Sequence, residues 1–93
     1  MAEVQRMPIH AGEVTQRFIS FLMRQAQQAA LCLGQIPHPQ TGKSEVHLEI
    51  AKIYIDDLEM LHEKTRGNLN GEEERILNGI LNDLRTAYLA ASK

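Results

Sequence analysis

From Glu45 to Arg66 the chain carries neither glycine nor proline, and its apolar residues spread over roughly 240° of a helical projection. Val46, Leu48, Ile50, Ala51, Ile53, Tyr54, Ile55, Leu58, Met60 and Leu61 make that arc. Only Glu45, Glu49, Lys52, Asp56, Glu59 and Glu63 form a plainly solvated strip. A helix with so little polar surface must be covered on two sides, which makes it the central member of a helix-on-helix fold. Ser44 is placed to cap its start, with Glu45 in the first turn near the positive helix end.

The end of this helix is marked as clearly as its body. Lys64 and Arg66 sit where cations favour the negative helix terminus, and Gly67 suits the left-handed stop position. Asn70 then caps a further helix, and Glu73 three residues on completes an N-x-x-E capping box. Leu69 precedes that cap, where a hydrophobic staple begins; the usual partner position is Glu74, so its contact must be Ile76 or Leu77. So short a link makes the two helices an antiparallel hairpin.

The last helix is expected over 71–90. Its arc of Ile76, Leu77, Ile80, Leu81, Leu84, Ala87 and Tyr88 covers roughly 140°, as for a peripheral helix with one wet face. Gly79, on its outer side, costs about 1 kcal/mol against alanine. The first helix is expected over 13–33, stopped by Gly34 and followed by Pro37. Its arc, from Val14, Phe18 and Phe21 to Ala30 and Leu33, covers roughly 200° and exceeds what one neighbour can bury. Residues 34–43, GQIPHPQTGK, form a proline-stiffened connector. Residues 1–12 lack periodicity and are expected to be a flexible tail.

The fold class is therefore all-α: a helix 2–helix 3 hairpin with helix 1 packed on it, in one domain over 13–93. A chain of 93 residues buries roughly 60–65% of its unfolded surface, which leaves a thin margin. Two arcs too wide for a three-helix monomer point to a homodimer built mainly by helix 1 and part of helix 2. An unidentified protein partner is the other occupant such a surface would admit.

Several classes of function are disfavoured by composition. A net charge of −2 argues against affinity built on phosphate neutralisation, so no nucleic-acid partner is expected. The most apolar window, Phe18 to Leu33, is broken by Arg24 and several glutamines, so no membrane span is expected either. The N-terminus, with Glu3, Arg6 and Pro8, lacks the apolar run of a signal peptide, and the single Cys32 provides no intrachain disulfide; both favour a reducing cytoplasm.

Candidate site residues are few. Asp57 falls inside the apolar arc of helix 2 and Gln25 inside that of helix 1. The two would form either a polar link that sets helix register or a ligand-binding pair. Lys64, Arg66 and Asn68, in the KTRGN turn, would bind an anion if they do more than end a helix. His10, His38, His47 and His62 show no i, i+4 pairing, so neither metal nor cofactor is expected. Cys32, between Leu31 and Leu33, suits a small apolar packing role better than that of a nucleophile, and no catalytic residues are assigned.

LGQIPHPQTGK at 33–43, LEIAKIYIDDLEMLHEKTRGNL at 48–69 and EEERILNGILNDLR at 72–85 together resemble the short bacterial proteins of domain of unknown function eighteen forty-four. The most specific pieces are Ile55-Asp56 with Leu58-Glu59, Glu63-Lys64-Thr65, Gly67-Asn68-Leu69 and Asp83-Leu84-Arg85. The resemblance spans Phe18 to Tyr88, implies a bacterial origin and supports the helical fold, and brings no catalytic residues with it. The leading expectation is a non-enzymatic, self-associating interaction module. The rival is a small-ligand or anion-binding domain using Asp57, Gln25 and the Lys64–Asn68 turn.

Overall fold

A computed structural model describes residues 11–93. The expected tail over 1–12 lies outside the described residues apart from Ala11 and Gly12, which open the first helix. Three helices follow one another: α1, Ala11–Cys32; α2, Leu48–Lys64; α3, Gly71–Ala91. Each packs against the other two. The end of α1 lies beside the approach to α2, through the bridge of Leu33 with Val46. The start of α1 meets the start of α3, where Asn70 Nδ2 donates to Thr15 Oγ1 at 3.0 Å. The bundle therefore runs up, down and up, with α1 antiparallel to α2 and parallel to α3.

The core is aliphatic. Leu22, Leu58, Leu77 and Leu81 are the largest fully buried side chains, and Ala29 and Ala51, also fully buried, let α1 and α2 approach closely. Ile55, Leu84, Ala87 and Leu33 complete it, with Phe18, Tyr54, Leu61 and Leu69 packed around them. At roughly 1.5–3 kcal/mol for each large side chain removed from water, these residues supply most of what opposes chain entropy. Leu69 packs onto the core as a residue preceding the cap should. Helix α3, read from its narrow arc as peripheral, contributes four of the buried apolar residues, Leu77, Leu81, Leu84 and Ala87. A narrow arc that lies wholly at the interface buries more than a wide one that does not.

The joints explain the boundaries. Helix α1 ends in a Schellman arrangement: the Gln35 N–H reaches the Ala30 carbonyl at 3.0 Å and the Gly34 N–H reaches Leu31 at 3.2 Å. Gly34 has φ +77°, and a Cβ there would stand 2.9 Å from Val46 Cγ2. The connector then doubles back on itself, with the His38 N–H bonded to the Lys43 carbonyl at 2.8 Å and the Gly42 N–H to the His38 carbonyl at 2.7 Å. It returns the chain to the end of α1.

This return displaces the start of α2 from the expected Glu45 to Leu48. The His47 N–H donates to the Cys32 carbonyl at 2.7 Å, satisfying one of the carbonyls that α1 leaves free at its end. Residues drawn out into that bridge cannot also be helical, so Ser44 does not cap. His47 takes the cap position without a side-chain bond.

At the other end α2 stops at Lys64, with Thr65 at the C-cap and its Oγ1 bonded to the Leu61 carbonyl at 2.7 Å. Gly67, at φ +82°, is the third residue of a turn closed by the Asn68 N–H on the Thr65 carbonyl at 2.9 Å; because the helix ends before the expected Arg66, it stands one position past C′ rather than at it. The capping box of α3 forms as read: Asn70 Oδ1 accepts from the Glu73 N–H at 2.8 Å, and the Glu73 carboxylate accepts from the Asn70 N–H at 2.9 Å. Glu73 is buried and satisfied by that bond, and among the described residues no buried side-chain N or O lacks a partner.

Candidate interaction face

The wide arc of α2 resolves into two stripes. Ala51, Ile55 and Leu58 face the core. Ile50, Ile53, Asp57 and Met60 recur at alternating steps of three and four, the spacing of a helix-packing seam; they and Val46, just ahead of the helix, are all exposed. Ile53 and Met60 keep 59% and 52% of their surface in water. Helix α1 adds Val14 at 50% and Phe21 at 40%.

Helical angles relative to α3 set these two groups on one side of the bundle. The outer edge of α2 toward α3 is marked by Glu59, which accepts from Arg85 Nε at 3.0 Å. Ile50 and Asp57 lie on the opposite edge, roughly 160–180° around the helix. The edge of α1 toward α3 is marked by Met23, Ala26 and Ala30, which share a cleft with Ile80 and Leu84. Phe21 and Gln25 lie opposite that edge in the same way. With α3 on one side of both helices, the helical angles put Val14, Phe21 and Gln25 of α1 and Ile50, Ile53, Asp57 and Met60 of α2 on the other side, with Val46 just ahead of α2.

Charge is distributed unevenly over this face. Along its α1 margin Arg17 and Arg24 line a shallow cleft with Gln16 and Ser20. Among the described residues neither arginine forms an ion pair, and neither does Asp57. The other charges near α2 are mostly satisfied within the chain: Lys52 with Asp56 at 2.7 Å, Arg66 with Glu63 at 2.7 Å, and His62 with Glu74 at 3.0 Å. The hydrogen bond that Lys52 donates to Asp56, and the negative charge of that carboxylate, hold the exposed Lys52 ammonium above the usual lysine range.

The residues singled out in the sequence do not converge. Asp57 is exposed, Gln25 is half-buried, and no hydrogen bond joins them among the described residues, so the inter-helix link does not form. Projection placed Asp57 correctly on the apolar arc but gave no depth, and its part of the arc points to solvent. Lys64, Arg66 and Asn68 are exposed at the far end of α2, two turns beyond Asp57. There the Arg66 guanidinium is engaged by Glu63 and the Asn68 amide by the turn. The five therefore compose no single ligand site. Arg17 and Arg24 were passed over because they sit on the polar strip of α1, and only the position of α2 shows that strip to border an apolar face.

Two other concavities are notable. Between α2 and α3 an open groove of about 340 Å³ is lined by Ile55, Tyr88 and Leu89, rimmed by the Lys52–Asp56 and Arg85–Glu59 pairs. Its four charged groups are paired with one another. The connector gathers His38, Glu45 and His47 near Cys32 around a cleft of about 210 Å³, where His47 Nε2 lies 3.1 Å from Glu45 Oε1. Among the described residues no three of His, Cys, Asp or Glu are grouped to hold a metal ion, and His10 lies outside those residues. Burial raises the Cys32 thiol pKa and keeps it protonated, away from the reactive thiolate. Among the described residues no helix is long and apolar enough to cross a membrane.

Fold and surface together define a small three-helix bundle with exposed apolar residues at helical spacing along α2. The chain belongs to the family described as Domain of unknown function (DUF1844), whose pattern it matches over residues 15–90. No curated protein and no solved structure matches it.

Proposed function

We propose that this chain is a non-enzymatic interaction module whose first partner is a second copy of itself, docked through the α1–α2 face. The observation that carries the reading is the second stripe of α2, with seam spacing, no covering element among the described residues, and Phe21 and Val14 exposed on α1. A face about 25 Å long and about 20 Å wide has a footprint on the order of 500 Å², before side-chain relief is counted. That is of the same order as the ~800 Å² each partner gives to a standard interface. A reducing cytoplasm fits the single protonated thiol.

Absolute mass by light scattering across a dilution series tests it. A dimer persisting to low micromolar concentration is the expected result. A monomer at every concentration overturns it.

A further inference from the structure

The charges on the α1–α2 face restrict how two copies can meet. Two folded copies docked face to face are related by a two-fold axis lying in the interface. An axis across the helices lays α2 on α2 and α1 on α1, setting Asp57 and its acidic neighbours against their own kind and arginine against arginine. An axis along the helices exchanges them, laying α1 of one copy on α2 of the other. The basic margin then meets the stripe that carries Asp57, and the apolar residues between them still overlap. Like-charge juxtaposition disfavours the first arrangement and favours the second.

Height along the bundle agrees. Counting from the Leu33–Val46 bridge at about 1.5 Å per helical residue, and about 3.3 Å per residue for the extended approach to α2, brings Arg24 level with Ile53 and Arg17 level with Met60. Asp57 lies between those levels, within reach of both long side chains. An axis along the helices leaves heights unchanged, so the same levels hold between copies.

Resting on the self-association proposed above, we infer that the second copy seats α1 on α2 in antiparallel fashion, with Asp57 of each copy held by the Arg17–Arg24 strip of the other. This gives the carboxylate in the apolar stripe a partner that it lacks among the described residues of its own chain. It excludes the α2-on-α2 seam and makes pairing dependent on charge. Symmetry repeats the contact twice.

The test uses two charge-reversed chains, Asp57→Arg and the double variant Arg17→Glu with Arg24→Glu. All three positions are exposed, so circular dichroism of each variant should match the unaltered chain. Each variant alone is expected to dimerise about tenfold or more weakly, and an equimolar mixture to recover a dimeric mass, since both symmetric contacts are then complementary. Should charge reversal perturb folding, Asp57→Asn gives a second reading: dimerisation of the unaltered chain weakens with added salt, and that dependence shrinks in the variant. Variants that dimerise as well as the unaltered chain, or a mixture that stays monomeric, overturn this arrangement and leave self-association standing. An unaltered chain that never dimerises overturns both.

Discussion

Asn70 ties α3 to α1 at the lower end of the bundle. Its Oδ1 caps α3, its N–H is held by Glu73, and its Nδ2 reaches Thr15 on α1, 55 residues away in sequence. Replacing it with alanine removes the cap and the tie together while Glu73 stays buried. Asn70→Ala is therefore expected to cost about 1–2 kcal/mol in urea unfolding, at the upper end for a cap. Asn70→Asp, which retains the acceptor, should recover most of the loss. The capping box was legible because it depends on residues three apart; the bond to Thr15 was not, because nothing local to either residue encodes it. Asp57 makes the complementary point: its angular position was readable, and its exposure was not.

Helices α1 and α2 divide their apolar residues between core and exposed face whereas α3 commits its arc to the core, and the two uses respond differently to substitution. Leu81 of α3 is 1% exposed and lies in the core cluster, so Leu81→Ala should cost about 2–5 kcal/mol with a visible fall in helicity on heating. Ile53 of α2 is 59% exposed, so Ile53→Asp should leave the unfolding of the single chain within about 0.5 kcal/mol while abolishing the dimeric mass. A large folding penalty from Ile53→Asp would show that the stripe is covered within the chain. Three helices, their order and two of the three boundary regions were readable from periodicity, glycine stops and caps. The start of α2 was not, because its competitor is a backbone bridge to the end of α1, made by residues whose local signals favour helix.

For the whole molecule, dimerisation would supplement a core whose fully buried large side chains are four leucines. A partner that binds only the folded state stabilises it by mass action, so the melting temperature should rise with protein concentration over a hundredfold range. A melting temperature independent of concentration would mean the bundle stands alone. Local signals prescribed the helices because helix formation, capping and glycine turns are decided within four or five residues, and the arcs already showed more apolar surface than three helices can hide. Which part of each arc is buried, where the connector returns, and that Arg17, Arg24 and Asp57 border one face depend on where neighbouring helices stand. Those placements come from packing between residues tens of positions apart, and a projection around one axis carries direction without depth.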